Sequence, residues 1–365
     1  MGISGLCDFL RKKVPGIIID IPISCLSGDR LAVDTSVYLY KFICMENQHK
    51  GKWLDMFIHF IIWLRQNNIR PIFVFDGKAP QQKERTRQER REIRKKTEEK
   101  VNDLDEISDL LDDLELNDPL PKDVETRIEK YFDDFHWWSR KELKIKVHEM
   151  YKRENGKCIN IGPAENKKVQ DLLTYMGIPW FKAVTEAEKT CSWLCKWGYV
   201  KGVITTDSDV LAYGCPQFIR NIAIGQDSCQ VIFHSDILSY FDLTYEQFRD
   251  FCIMCGTDYN KRIKGLGPVK ALQLIGDYGN LEEISKDYDT EILHYEDTRS
   301  LFTLPSEEDV DLVIQDVKNK EKFKVPSFKK SDMKELALFL MKNNSRFAVE
   351  ELQGYAYRAS FVVED

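Results

Sequence analysis

Three short hydrophobic runs of this chain end in aspartate: Leu31-Ala-Val-Asp34, Ile72-Phe-Val-Phe-Asp76 and Val203-Ile-Thr-Thr-Asp207-Ser-Asp209. Such runs read as strands buried on both faces, and α/β sheets hold their ligands at the carboxyl ends of parallel strands. Further acids stand at Glu186 and Glu188 in Thr185-Glu-Ala-Glu188, and at Asp258 in Cys255-Gly-Thr-Asp258-Tyr. Seven carboxylates gathered in one place do not all stay ionised without cations. The ligand set is oxygen alone, with no thiolate or imidazole, so the cations expected are Mg²⁺, with Mn²⁺ as a substitute. A site of this kind performs two-metal phosphoryl chemistry.

The elements that must position these acids follow from spacing and turn chemistry. A short helix is expected over 5–13, a strand over 31–34, a helix over 53–67 and a second strand over 71–76. Asp76-Gly-Lys-Ala-Pro80 is a turn, and a long charged helix begins near Lys83. Leu104, Ile107, Leu111 and Leu114 keep helical spacing until Pro119 and Pro121, and Val124, Ile128, Tyr131, Phe132 and Phe135 suggest a second helix. Trp137 and Trp138 are expected to pack among these inserted helices, with stacking on a single strand as the alternative. Residues 83–155 thus read as a helical excursion from an α/β domain. After Gly162-Pro163 come a helix over 166–177, a strand over 178–181 and another over 202–206. Thr185 is the expected cap of a helix whose first turn carries Glu186 and Glu188. Asp207 and Asp209, two apart on extended backbone, would share a face. Ile263-Lys264-Gly265-Leu266-Gly267-Pro268-Val269-Lys270 lies between two helices and reads as a phosphate cradle, with backbone N–H groups for contacts and Lys264 and Lys270 for charge.

The totals narrow the class. At 365 residues with 43% hydrophobic and 12% aromatic content, the chain builds one or two domains with an ample core. Its longest apolar stretch, Met56–Leu64, is too short to span a bilayer, so no membrane association is expected. Met1-Gly-Ile-Ser-Gly-Leu has no signal-peptide character, and an intracellular, reducing setting is expected. The ten cysteines are scattered, and Cys252-Ile-Met-Cys255 lacks a second pair, so buried thiols are preferred to a zinc site. The net charge of −7 is misleading for a nucleic-acid protein. Residues 98–134 carry fifteen acidic side chains against four basic ones, which leaves the rest of the chain at +4. Lys83–Lys96 holds eight basic residues against three acidic ones, a local basic footprint. A DNA gateway is the favoured reading of that run; a solvated helix and a nuclear localisation signal are the alternatives. For the acidic run the alternatives are a solvated helix face and a filter that repels misplaced DNA.

Taken together, these segments resemble the flap endonuclease / XPG family of structure-specific 5′ nucleases. The resemblance runs through Met1-Gly-Ile-Ser-Gly-Leu6, Ala32-Val-Asp-Thr-Ser36, Val74-Phe-Asp-Gly-Lys78, Met176-Gly-Ile-Pro179, Glu186-Ala-Glu188, Asp207-Ser-Asp209, Gly256-Thr-Asp-Tyr259 and Gly265-Leu-Gly-Pro268, in family order. It is closest to flap endonuclease through Asp34–Tyr40 and Leu336–Phe347, while Thr206–Gly214 leans towards the exonuclease 1 branch. The resemblance implies a PIN-like α/β domain with a central, mostly parallel sheet, a helical arch insertion and a helix-hairpin-helix element. The expected segments are 1–97 and 156–245 for the nuclease regions, 98–155 for the arch, 246–285 for the helix-hairpin-helix and 286–365 for a C-terminal helical region and tail.

The same resemblance implies roles. Asp34, Asp76, Glu186, Glu188, Asp207, Asp209 and Asp258 would hold two divalent ions, with Asp207 catalytically essential. Lys83 and Arg90, with Arg87 beside them, would grip the scissile phosphate, and Tyr40 would stack on a neighbouring base. Gly2 would lie near the site, and Gly265–Gly267 would bind duplex backbone together with K⁺. The chain departs from the family in its 103-residue interval from Lys83 to Glu186, and in Ala356 and Ala359 where a sliding-clamp box needs an aliphatic and aromatic residues. No clamp docking is expected. The implied function is divalent-metal-dependent cleavage of branched or nicked DNA, chiefly at 5′ flaps with 5′→3′ exonuclease activity, by a monomer. The expected location is the nucleus of a eukaryotic cell, or a site of viral replication if the source is a large DNA virus. An exonuclease or junction resolvase of the same superfamily, and a DNA-binding scaffold without catalysis, are the alternatives.

Overall fold

The computed structural model describes residues 2–47, 52–115, 118–158, 161–315, 323–324 and 329–355. The clamp-box positions Ala356 and Ala359 and the rest of the tail lie outside the described residues. The apolar runs form strands as their composition dictates: β1 (Ile19–Pro22), β2 (Arg30–Asp34), β3 (Arg70–Phe75), β4 (Trp180–Lys182), β5 (Gly202–Ile204), β6 (Gln217–Arg220) and β7 (Ser228–Phe233). They build one seven-stranded sheet in the order β1-β7-β6-β5-β2-β3-β4. Strands β2 to β6 pair in parallel, and β7 and β1 add antiparallel at one edge. All but the first residue of β2 and β3, and all of β5, are buried. That is the pattern of strands covered on both faces, and it explains why their runs do not alternate.

The chain runs from β2 outward to β3 and β4, then returns to the other side of β2 as β5. The strand order therefore reverses beside β2, and the carboxyl ends of β2 and β5 flank a topological switch point. The core around this sheet includes Leu6, Leu10, Val74, Trp193, Val203, Phe218, Phe251 and Phe302. Among the described residues no helix is long and apolar enough to cross a membrane; Trp53–Gln66, which contains the longest apolar stretch, is a buried helix.

The chain divides into two compact units: Met1–Leu39, Leu54–Thr86 and Gly162–Asp365 form one, and Tyr40–Trp53 with Arg87–Ile161 form the other. The second has its own core. Leu104, Ile107 and Leu111 from the helix Glu84–Asp113 pack with Val124 and Ile128 from Lys122–Glu129 and with Leu143 and Val147 from Arg140–Asn155. Ser139 and Glu142 close a capping box at the start of the last helix. Part of the acidic run is neutralised inside this unit. Arg127 bridges Asp103 at 2.6 Å and Glu106 at 2.7 Å, and Lys144 reaches Asp112 at 3.2 Å.

Several local expectations need correction here. The acidic helix stops at Asp113, before the prolines. The second inserted helix ends at Glu129, and Phe135 belongs to a separate 3₁₀ turn, Phe135–Trp137. The two tryptophans part company: Trp138 packs edge-on to Phe132 at 5.3 Å, whereas Trp137 is 88% exposed. The thiols of Cys252 and Cys255 are buried and free, as expected.

Because the second unit depends on its own small core, Ile107→Ala should cost it about 2–4 kcal/mol. Hydrogen exchange checks this. Protection should fall across residues 87–158 and persist in β2, β3 and β5; equal loss in both would refute a separate core.

Candidate active site at the strand ends

Asp34 is the last residue of β2, and Asp76 immediately follows β3. Asp34 is 2% exposed, and Thr205 donates its hydroxyl to Asp34 Oδ2 at 2.9 Å. The same Thr205 oxygen accepts the Asp207 N–H at 3.1 Å. One threonine just beyond β5 thus ties the acids of two neighbouring strands together.

Asp207 and Asp209 are not on extended backbone. β5 ends at Ile204, and Asp209 opens the short helix Asp209–Ala212. The Asp209 N–H donates to Asp207 Oδ1 at 3.0 Å, so the aspartate side chain itself makes the turn. That local bond competes with extension, which is why the period-two reading fails here.

Thr185 is not the helix cap. The N-cap of Ala187–Lys196 is Glu186, whose side chain makes no capping bond. The cap comes from another strand: Asp76 Oδ1 accepts the Ala187 N–H at 2.9 Å, while Ser36 donates to Asp76 Oδ2. The Asp76-Gly77 turn reaches that position because its backbone is stapled to residues after β4. Gly77 N–H donates to Thr185 O at 2.6 Å and Lys78 N–H to Val184 O at 3.0 Å. A Cβ on Gly77 would stand 2.0 Å from Ala183 O, so only glycine fits.

Lys83 completes the cluster. Its Nζ pairs with Glu186 Oε1 and lies 3.1 Å from Asp258 Oδ2. Burial pulls its pKa down, but Glu186, Glu188 and Asp258 outweigh that and raise it, so the ammonium stays charged. Thr86 donates to Asp258 O at 2.6 Å, and Tyr259 donates to Glu186 Oε2. Gly2, at φ +86°, lies so close that a Cβ would be 2.2 Å from Asp207 Oδ1. All seven expected acids, Lys83 and Gly2 belong to the first unit. Lys83, Glu186 and Asp258 are joined through direct contacts, Asp76 meets the helix that starts beside Glu186 through the Ala187 N–H, and Asp34 and Asp207 are joined through Thr205.

Tyr40, Arg87 and Arg90 belong to the second unit. Tyr40 is 42% exposed, which departs from a core aromatic, and Arg87 and Arg90 are exposed positions of the helix Glu84–Asp113. Lys264 and Lys270 are exposed around the loop that joins the helices Tyr245–Cys255 and Pro268–Tyr278. Gly265 has φ +78°, whereas Gly267 is extended, and open space faces the Cβ direction of both. Of these two, the fold requires glycine only at Gly265.

The electrostatics of the cluster are strained. Burial, then the charges of Asp76 and Asp207, push the Asp34 carboxyl up to about 8. Burial likewise raises Glu188 and Asp209 well above the carboxylate range, with neighbouring carboxylates adding to it. Glu188 Oε2 and Asp209 Oδ1 are buried without any hydrogen-bond partner. Orphaned carboxyl oxygens of this kind are unusual in a folded core.

Matches to known proteins agree with this arrangement. Residues 1–97 match the XPG N-terminal domain and residues 177–258 the XPG I-region. A probable RAD2-like endonuclease, 369L, of Invertebrate iridescent virus 6 is 33% identical over 315 residues, covering 79% of this chain and 74% of the viral one. Flap endonuclease 1 of Xiphophorus maculatus is 30% identical over 341 residues, covering 88% of this chain and 79% of its own. The chain belongs to the XPG family of flap endonucleases. In structure, the catalytic core of Rad2 in complex with DNA substrate superposes with a TM-score of 0.57 at 21% identity, over 98% of this chain and 100% of that one, and so shares the fold.

XPG-family nucleases depend on divalent metal, and the residues here fit such an ion. The donors are all carboxylate oxygens, two of them are buried without partners, and several are held above their usual pKa by burial first and by neighbouring carboxylates second. Among the described residues no three acids stand ready as a closed ligand set; Lys83 supplies the positive charge between Glu186 and Asp258 instead. The sequence missed Tyr259, Thr205, Thr86 and Gly77. Gly77, inside a turn motif, and Tyr259, at the end of Gly256-Thr-Asp-Tyr259, lay in segments that the sequence singled out, without a role of their own.

The Asp34 shift carries a sign. A carboxyl raised from 3.8 to about 8 on folding contributes stability fully below about pH 4 and loses it as pH rises through 8. In EDTA at pH 8, Asp34→Asn should therefore melt above the wild type, by on the order of 5 °C. The gap should close towards pH 4 and shrink when Mg²⁺ is added to the wild type. Thermal melts of both proteins across pH check this, and a gap independent of pH would refute it.

Proposed function

We propose that this nuclease hydrolyses phosphodiester bonds in branched or nicked DNA, releasing 5′ flaps and degrading 5′ ends exonucleolytically. The observation that carries the proposal is the buried cluster of carboxylates at the switch point beside β2, with two orphaned oxygens and Lys83 set among them. Asp34, Asp76, Glu186, Glu188, Asp207, Asp209 and Asp258 would hold two Mg²⁺ ions, for which Mn²⁺ substitutes. When bound, these ions supply Lewis-acid stabilisation of the charge that develops on the phosphate.

The rest falls to the chain's own groups. Lys83 is held protonated by the same acids that proposed ions would engage. Released from Glu186 and Asp258, its ammonium would be free to grip the scissile phosphate. Arg87 and Arg90 add exposed charge for the DNA backbone, and Tyr40 offers an exposed ring for base stacking. The amides at the start of Pro268–Tyr278, with Lys264 and Lys270, would bind duplex phosphates without reading sequence, with K⁺ at the Gly265–Gly267 loop. Gly2 packs against Asp207, so it would lie beside the acids that hold the ions. The enzyme would work as a monomer inside the cell, in the nucleus or where a large DNA virus replicates; the iridovirus relative favours a viral source.

Cleavage of a 5′-labelled flap and of a blunt duplex, with Mg²⁺ or EDTA, tests the proposal. Flap release should need Mg²⁺ and fall at least about 10²–10³-fold in Asp207→Ala. Mononucleotides from both substrates in equal measure would move the activity to an exonuclease. Tight DNA binding without cleavage of either would make the chain a scaffold.

A further inference from the structure

Behind Glu186 lie two tyrosines that no step above uses. Tyr259 donates its only hydroxyl proton to Glu186 Oε2. Its oxygen stands 3.0 Å from the hydroxyl of Tyr213. Since Tyr259 has no second proton to give, Tyr213 must be the donor in that bond. The chain of donation therefore runs Tyr213 to Tyr259 to Glu186. Both rings are buried and both pack edge-on to Phe302, with centroids 5.1 and 5.3 Å away. The helix turn that carries Tyr213 is itself held, because Tyr245 donates to Ala212 O at 3.0 Å and reaches Phe302 O at 3.3 Å. Successive hydroxyls polarise one another, so the bond to the carboxylate is stronger for having Tyr213 behind it.

The division of labour at Glu186 is informative. One oxygen, Oε1, is held by the ammonium of Lys83, at the end of a long side chain with many rotatable bonds. The other, Oε2, is held by a ring locked in the core. We infer that Tyr213 and Tyr259 are positioning residues that hold Glu186 in place for a divalent ion when Lys83 leaves it. Tyr213 never touches the ion in this scheme; it acts through Tyr259, as outer-shell partners of metal ligands do. This rests on the proposed metal role of Glu186.

The test is binding of Mn²⁺ alone, without DNA, followed by titration calorimetry on the full chain, with a thermal melt of each variant. Tyr259→Phe should weaken Mn²⁺ binding about tenfold and Tyr213→Phe about threefold. Both variants keep the ring against Phe302, so the melting temperature of Tyr213→Phe in EDTA should stay near that of the wild type. Tyr278→Phe is the control, since Tyr278 also donates to a carboxylate, Asp287 at 2.8 Å, but on the surface; its Mn²⁺ affinity should match the wild type. Should Tyr259→Phe not fold, Tyr213→Phe decides. Unchanged Mn²⁺ affinity in a folded Tyr213→Phe would overturn the tyrosine pair and leave the metal site standing. No Mn²⁺ binding by the wild type would overturn the metal site and the pair with it.

Discussion

Everything at this site depends on keeping like charges together in a buried place. Two unit charges 4 Å apart interact by about 4 kcal/mol at an effective dielectric of 20. A domain has only about 5–15 kcal/mol of stability in all. Uncompensated, the carboxylates at the ends of β2, β3 and β5 would therefore consume much of the fold's margin. The structure offsets them with specific groups. Lys83 sits between Glu186 and Asp258, Thr205 donates to Asp34, a backbone N–H donates to Asp207, and a helix N-terminus meets Asp76. What remains uncompensated at Asp34, Glu188 and Asp209 appears as raised pKa values and orphaned oxygens. Burial and repulsion together hold these three acids in that state.

The sheet was legible because burial on both faces leaves a simple trace. Parallel strands covered by helices read as short apolar runs, and an acid at the end of such a run marks the carboxyl edge. Where the backbone bends, the trace disappears. Asp207-Ser-Asp209 looks like extended chain, yet the bond from Asp209 N–H to Asp207 makes it a turn. The Asp76 cap on Ala187 and the Lys83 pair with Glu186 join residues 111 and 103 positions apart. No local pattern encodes a contact of that range. Asp76 illustrates the difficulty: an aspartate at a strand end reads either as a helix cap or as a site acid, and here it is a cap placed within the site.

The inserted unit was legible in its hydrophobic spacing and not in its surface. Leu104, Ile107 and Leu111 announce a helix with one buried face, and that face is buried. Which acids are paired depends on the neighbouring helices, so Asp103, Glu106 and Asp112 could not be told from the rest of the run. The tryptophan pair fails for a different reason. Trp137 ends a 3₁₀ turn and Trp138 is extended, so the two side chains leave the backbone in different directions. Adjacent residues of one type then meet opposite fates, Trp138 against Phe132 and Trp137 in solvent.

The double use of site acids has a consequence for how such a site tolerates change. Asp76 holds the helix Ala187–Lys196 by its N-terminus, and that helix carries Glu188. Thr205 holds both Asp34 and the turn to Asp207. Losing the Thr205 side chain removes bonds alone, whereas losing Asp76 removes a hydrogen bond of the fold along with a charge of the site, and those two effects have opposite signs. Losing the charge relieves repulsion, while losing the bond frees a helix end or a turn. Isosteric amides separate them best: asparagine at position 76 still accepts the Ala187 N–H while shedding the charge. The positions of the acids are thus fixed by the same bonds that hold the carboxyl edge of the sheet together. The geometry of the site and the integrity of that edge change together.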